Sequence, residues 1–425
     1  MRQLMQEQLP AATRNLLDRV AVLATKNDFH VYVVGGFVRD LLLQIKNLDI
    51  DLVVEGDGLR FAELLGSELN AKITPHTRFG TSVLDLEDGS HLDVATARLE
   101  IYKEPAALPT VQPGSIREDM GRRDFSINSL AIKLEPEGCH LFLDFNQGKL
   151  DLEQKVIRAL HPKSFVDDPT RIFRAIRFEQ RLGFALNQET KTWLVAGIPV
   201  IEKLSGHRLF NELVAIFMEK DVTACLWRLQ ELGVIKGIDP EIYWEKVDWQ
   251  KLERLGIEAN KPENRVSIGE VDQVFIWLLG MLWSLDEKVF LRVLDRFGLK
   301  GGAGEKLIKD REYCISVLDK FEESRPVSSV EVYETFSSIS IEAAYWLLAV
   351  SENKAIGLGV DRYFSYIKEA SHVSLTGDDL ISLGLKPGPL FQKVFQELCR
   401  GRLEGKIHSR EDEKTWVREK YLTEG

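Results

Sequence analysis

The period of the hydrophobic pattern changes along the chain, and that change divides it. Residues 1 to about 28 carry apolar positions at steps of three and four, with Leu9, Ala12, Leu16, Val20 and Leu23 on one side, which predicts helix. Residues 31–34 (VYVV) form a short apolar run closed by Gly35-Gly36, so a strand and a turn are expected, then a helix through Arg39 and a second strand that carries Asp49 and Asp51 and runs to Val54. After Asp57, GLRFAELLGSELN predicts a helix, and AKITPHTRFGTSVLDLE and HLDVATARLE predict strands. Residues 102–115 (YKEPAALPTVQPGS) hold three prolines without a clean period and are expected to form a loop. GRRDFSINSLAIKLEP follows as a short helix and strand. From Asp167 a helical period takes over: Pro169 suits a first turn, and Ile172, Phe173 and Ile176 supply an apolar face. Breaks are expected at Gly206 and over 256–265, 298–304 and 323–329, and no strand-rich block or internal repeat occurs past residue 160. The pattern implies a small mixed head (1–160), a helical neck (161–255), a helical body (256–370) and a helical tail (371–425).

Composition narrows the classes. The 425 residues can bury several cores, and 44% hydrophobic with 28% charged positions is typical of a soluble globular protein. No apolar run reaches the length of a membrane span, and the first thirty residues mix Arg2, Glu7, Arg14, Asp18 and Arg19 with apolar positions, unlike a signal peptide, so a cytoplasmic location is expected. Cys139, Cys225, Cys314 and Cys399 show no CxxC spacing; buried or partly buried free thiols are expected rather than a zinc site or disulfides. A net charge of −11 and a pI near 5.4 count against indiscriminate nucleic-acid binding through bulk charge. An RNA partner would have to meet a local basic patch.

Against that background, residues 31–54 concentrate chemistry. Asp49 and Asp51, two apart in an apolar run, project from one face of an extended strand, roughly 6–7 Å apart along the chain. That spacing suits carboxylates flanking two divalent cations about 4 Å apart. Gly35-Gly36 lets backbone amides approach an anion, and Arg39 in the next turn is a candidate phosphate ligand. Asp93, in HLDVATAR, is the natural third carboxylate if its strand lies beside the first. Arg122-Arg123-Asp124-Phe125-Ser126-Ile127-Asn128 offers two guanidiniums for a polyphosphate and an amide for a sugar hydroxyl. Asp168 and Arg171, three apart at a helix start, present an acceptor edge beside a donor edge. Such a pair complements adenine and cytosine and leaves unpaired groups against guanine and uracil, at about 1–3 kcal/mol each. Each element alone also has a plain structural role: strand edge, turn, surface ion pair, helix cap.

Together these motifs resemble the class II tRNA nucleotidyltransferases, the bacterial CCA-adding enzymes, A-adding enzymes and poly(A) polymerases related to DNA polymerase β. GGFVRDLLL with DID resembles their metal motif, GRRDFSINSLA the ribose motif, DFNQGKLDLEQKVIR the linking motif, DDPTRIFRAIRF the base motif and SGHRLFNEL the helix motif after it. The C-terminal LTGDDLISLGLKPGPLFQKVFQELCRGRLEGKI is similar to the tail of some members. The resemblance implies an α+β fold: a polymerase-β-like nucleotidyltransferase head, a small mixed sheet with helices, followed by an elongated all-helical body and tail. It implies two Mg²⁺ ions on Asp49 and Asp51, with Asp93 as a further catalytic carboxylate. It also implies ATP and/or CTP held by Gly35, Gly36, Arg39, Arg123, Asp124, Asn128, Asp168, Arg171 and Arg174, and tRNA recognised by its acceptor and T arms. Asp167-Asp168 stands where many members have Glu-Asp, which retains the acceptor. IYKEPAALPTVQPG resembles the loop of A-adding members more than that of full CCA-adders, the sequence shows no HD phosphohydrolase motif, and the N-terminal extension of long members is not expected. Addition of CCA, CC or A alone therefore stays open, as does the oligomeric state. A poly(A) polymerase shares every motif quoted, and a non-catalytic tRNA-binding module is the rival from another class. GLKGGAGEKL, at 298–307, lacks the GK[ST] ending of a P-loop and is read as a helix break.

Overall fold

The computed structural model describes residues 1–47, 49–242, 249–320 and 328–422. They form two compact units, Met1–Ile242 and Tyr243–Gly425.

The first unit is built on nine strands before the neck: β1 (His30–Val34), β2 (Ile50–Glu55), β3 (Lys72–His76), β4 (Thr81–Asp85), β5 (His91–Thr96), β6 (Arg98–Ile101), β7 (Thr110–Pro113), β8 (Leu130–Lys133) and β9 (Leu141–Asp144). Seven make one sheet in the order β3-β4-β5-β2-β1-β8-β9, and β6 and β7 make a separate ribbon. Within the large sheet β2 and β5 run parallel; its other neighbours are antiparallel. Helices α1 (Arg2–Gln8), α2 (Ala11–Lys26), α3 (Gly36–Leu42), α4 (Gly58–Leu69) and α5 (Ile116–Gly121) dress it.

Alternation along the strands sorts the faces. Val33, Leu52 and Val94 lie side by side across β1, β2 and β5, fully buried. Leu17 and Val20 of α2 and Phe61 and Leu65 of α4 are buried as these helices pack on the sheet, each burial contributing about 1.5–3 kcal/mol. On the other face Tyr32, Val34, Val53 and Ala131 pack with Ile116 and Met120 of α5. Asp51, two residues before Val53, shares that second face, and the parallel register sets it beside Asp93. The site thus lies at the end of the core under α5. A capping box between Ser115 and Glu118 starts α5, and its end delivers Arg122 and Arg123.

α6 (Gly148–Gln154) closes the head, and the neck follows as α7 (Ser164–Asp167), α8 (Thr170–Leu182), α9 (Gln188–Gly197), α10 (Gly206–Phe217) and α11 (Val222–Glu231), with the two-residue strands Val156–Ile157 and Ala185–Leu186 pairing in parallel. α8 packs on α10 and α11. Ion pairs from Arg177 and Arg181 to Glu219 and from Arg228 to Glu179 reinforce this packing. The described part of the second unit is helical, with Tyr345 and Trp346 of Ile341–Val350 buried beside Trp249–Asn260. A small core of its own, including Leu380, Val394, Leu398 and Val417, holds its C-terminal helices. No described helix is long and apolar enough to cross a membrane.

Several expectations shift. Pro10 divides the first helical pattern, and the buried stripe of α2 runs through Leu17, Val20, Ala21 and Ala24 instead of Ala12, Leu16 and Leu23. Part of the expected loop is strand: Thr110–Pro113 pairs with Arg98–Ile101, proline being tolerated on the edge of a two-stranded ribbon. The break expected at Gly206 falls at Leu204-Ser205, between a short 3-10 helix over Ile198–Lys203 and a helix that Ser205 caps and Gly206 begins. The boundary expected at 255/256 lies inside Trp249–Asn260, and the units part after Ile242. Helix Glu287–Phe297, not a strand, precedes Gly298, as the helix-break reading requires. The break at 323–329 falls mostly outside the described residues. Cys139 is exposed, while the other three thiols are buried.

Candidate active site

At the mouth of the sheet, a cavity of about 720 Å³ gathers Gly35, Gly36, Arg39, Asp51, Asp93, Arg123, Asp124, Asn128, Asp168, Arg171 and Arg174. Of the twelve expected site residues, only Asp49 is not on its wall. It precedes β2, exposed, with its N–H bonded to Asn47 Oδ1 at 2.9 Å.

The turn after β1 depends on glycine. Gly35 takes φ +69, and a Cβ there would lie 2.7 Å from Arg123 Nη1, so the guanidinium occupies the space a side chain would need. At Gly36 a Cβ would meet Arg39 Nη2 at 3.7 Å and Asn47 Nδ2 at 3.9 Å, both ordinary contacts. Arg123 is anchored through Nη2 to the buried Asp119 at 3.1 Å and through Nη1 to the carbonyl of Asn128 at 3.4 Å. Its Nε is buried without a hydrogen-bond partner, a donor that an anion would satisfy. Asp119 also holds Arg122 at 2.7 Å, so one carboxylate positions both guanidiniums.

Arg39 is more enclosed than its motif implied. It is buried, and its guanidinium bonds Asp40 at 2.7 and 2.9 Å and Asn128 Oδ1 at 2.8 Å. In this arrangement it orients Asn128, and the unsatisfied donor belongs to Arg123. Asp124 is likewise engaged: Oδ1 accepts from Phe125 N and Asn128 Nδ2, and Oδ2 from Arg174 at 2.6 and 2.8 Å. Burial works against its charge, yet Arg174 and the Asn128 bond outweigh that and hold the carboxyl below its usual range. Asp124 therefore positions its neighbours.

At the start of α8, Asp168 Oδ1 accepts from Thr170 N at 3.1 Å, from its hydroxyl at 2.6 Å and from Arg208 Nη2 at 2.8 Å. Arg171 donates to the carbonyls of Arg122 and Arg123 and to Ser164 Oγ, so it clamps the head to the neck as well as lining the cavity. Phe178 stands between Arg39 and Arg174, whose guanidinium carbons lie 5.2 and 5.5 Å from its ring centre. Phe178, Glu100, Tyr102 and Asp119 went unnoticed in the sequence. Phe178, four residues after Arg174 in a helical pattern, was the one with a readable signal.

The carboxylates fit a cation site by charge. Burial raises the Asp51 carboxyl above its usual range; Arg123 draws it back, and Asp93 and Asp49 push it further. Crowded hard oxygen donors on one edge suit Mg²⁺. Among the described residues no three metal-ligating side chains are already drawn into one cluster.

Residues 31–158 match the family model described as "Poly A polymerase head domain", and residues 183–245 match that described as "Probable RNA and SrmB- binding site of polymerase A". An A-adding tRNA nucleotidyltransferase of Halalkalibacterium halodurans is 30% identical, covering 95% of the chain and 92% of its own length. The chain belongs to the tRNA nucleotidyltransferase family. A second tRNA nucleotidyltransferase, the A-adding enzyme of Geobacter sulfurreducens, is 36% identical over 96% of the chain, but the chain spans 47% of that relative's length. A CCA-adding enzyme solved as its complex with ATP superposes with a TM-score of 0.82 at 34% identity, covering 100% of the chain and 97% of that one. The head, with its mixed sheet, and the helices after it thus carry the architecture of tRNA nucleotidyltransferases.

Proposed function

We propose that this chain transfers a nucleotide from ATP and/or CTP to the 3′ end of tRNA, adding all or part of CCA with release of pyrophosphate, and that its part is the terminal A. The observation that carries nucleotidyl transfer is the register pairing of Asp51 with Asp93 at the mouth of the cavity that holds Arg123 and its unsatisfied donor. Both relatives named above are A-adding enzymes, and the loop resemblance points the same way.

In this reading Asp49 and Asp51, with Asp93, hold two Mg²⁺ ions. Bound there, the ions supply an acidified primer 3′-hydroxyl and neutralise charge on the leaving pyrophosphate. Arg123 takes the triphosphate on its free Nε, aided by the backbone of Gly35-Gly36. Asn128, fixed by Arg39 and Asp124, meets the ribose. Asp168 and Arg171 read the base edge, with Arg174 beside them, and the helical second unit meets the acceptor and T arms through phosphate and shape contacts.

The test offers labelled ATP or CTP to tRNAs ending before, within and after CC. One A added to tRNA ending in CC is expected. Addition of C would replace the A-adding reading with a CC- or CCA-adding one. Long A-tails on unrelated RNA would make it a poly(A) polymerase, and no magnesium-dependent pyrophosphate release with any tRNA would leave a binding module.

A further inference from the structure

We propose that the head carries a second ligand site, for free hydrogen phosphate, in a pocket of about 140 Å³ between α1, α2 and the turn before β9. The site goes beyond nucleotidyl transfer and does not depend on it.

The pocket lies at the far end of the sheet from the active site. The carbonyl of Leu130, at the start of β8, accepts from Gly35 N in the catalytic turn, whereas Glu137, Gly138 and His140 line the pocket beyond the other end of that strand. The His140 side chain is 5% exposed, and its Nδ1 accepts from Glu135 N at 3.1 Å. Burial, with Arg2 nearby, outweighs the pull of Asp18 and Glu135 and holds the imidazole below its ordinary range. The neutral ring therefore carries its proton on Nε2, where it is a donor and not a metal ligand. That N–H has no hydrogen bond among the described residues; Asp18 Oδ1, which it faces, stands 3.8 Å away.

Two guanidiniums stand on the wall. Arg2, exposed at the start of α1, has no hydrogen bond or ion pair with a described residue. Arg14 of α2 donates from Nη1 to the carbonyls of Gln6 and Leu9 at the end of α1, at 2.9 and 2.6 Å, which leaves its Nε and Nη2 without a described partner. Against these cations stand the carboxylates of Asp18 and Glu137, so net charge alone draws no anion in. Selection is by pattern. One hydroxyl oxygen about 2.7 Å from each group spans the gap, accepting from Nε2 and donating to Asp18. Hydrogen phosphate has that hydroxyl, and its other oxygens meet the guanidiniums. Sulfate has no proton for Asp18 and sets an oxygen against its charge. An ammonium meets Asp18 but accepts nothing from Nε2. Water spans the gap but leaves both guanidiniums without an anion. Occupied, the site ties α1 to α2 and to the turn, and α1 packs on α3, the helix that carries Arg39.

The test titrates phosphate, sulfate and AMP calorimetrically into the full chain at about pH 8 without magnesium, in an Arg123→Gln background that removes the phosphate grip of the active site. At that pH free phosphate keeps one proton and a phosphomonoester none. Phosphate should bind at one site about tenfold or more tighter than sulfate or AMP. A hundredfold excess over its Kd should raise Tm by about 5–10 °C. Arg2→Gln, at an exposed position, should weaken phosphate about tenfold, as the loss of one charge-assisted hydrogen bond implies. Asp18→Asn should bring phosphate and sulfate within about twofold of each other, since the proton acceptor is gone. No phosphate binding to the Arg123→Gln protein would leave the pocket to water and overturn the proposal. So would equal affinity for phosphate and sulfate, AMP binding as tightly as phosphate, or wild-type phosphate affinity in either Arg2→Gln or Asp18→Asn. None of these readouts uses nucleotide transfer, so a failure of the proposed function would leave this test intact.

Discussion

Gly35→Ala isolates the turn from everything else in the site. The residue takes φ +69 and ψ −128, a region nearly closed to side chains, and its Cβ would stand 2.7 Å from Arg123 Nη1. The backbone strain costs about 1–3 kcal/mol. In a folding unit of this size each kcal/mol lowers Tm by about 2–4 °C, so a fall of roughly 2–12 °C is expected. The guanidinium must also move, and forfeiting one charge-assisted bond to a phosphate is worth about 1.5–3 kcal/mol, a rise in nucleotide KM of roughly 10- to 150-fold. Gly36→Ala is the control: its Cβ meets nothing nearer than 3.7 Å, so Tm should stay within about 2 °C. Thermal melts and steady-state ATP titrations of both variants check this. A Gly35→Ala enzyme with wild-type KM would refute the placing of Arg123 over the turn as the phosphate grip.

Further outcomes follow from charge and packing. The raised Asp51 carboxyl means the folded state holds this proton more tightly than the unfolded chain, so ionised Asp51 subtracts stability at neutral pH; the deficit fades as pH falls through the raised folded value and is gone below the ordinary 3.8. Asp51→Asn should then melt above wild type at pH 7 in metal-free buffer, and the gap should close near pH 3. Asp124, held below its ordinary 3.8, contributes stability that is fully present above that pH and lost as pH falls through its lower folded value. Asp124→Asn should cost about 1.5–3 kcal/mol in neutral urea melts through the weakened Arg174 pair. Phe178→Leu removes two cation–π contacts worth about 0.5–1 kcal/mol each, and nucleotide KM should rise severalfold while Phe178→Tyr leaves it near wild type.

The head was legible where its signal was local. Strand alternation put Asp51 on one face, and parallel pairing then brought Asp93 beside it. The glycine turn after β1 was legible in the same way, as was the helix start after Asp168. What stayed hidden depends on partners far along the chain: Arg39 is spoken for by Asn128, 89 residues on, and Asp168 by Arg208, 40 residues on. Prolines masked strand β7, which becomes visible only once its partner Arg98–Ile101 is in place. Gly256 and Pro262 read as one break, yet one helix runs through the glycine to Asn260 and another begins at the proline. Spacing marks which residues belong to the site, but it does not mark which of them already have partners.

In the proposed function the carboxylates at the start of β2, Asp49 and Asp51, carry nucleotide transfer. The direct measurement is incorporation of labelled ATP into tRNA ending in CC, with magnesium, by wild type, Asp49→Ala and Asp51→Ala, each checked for an intact fold by its melting curve. The expected result is one A added by the wild type and none by either variant, with both variants folded. Ordinary turnover by a folded Asp49→Ala or Asp51→Ala protein would contradict the account.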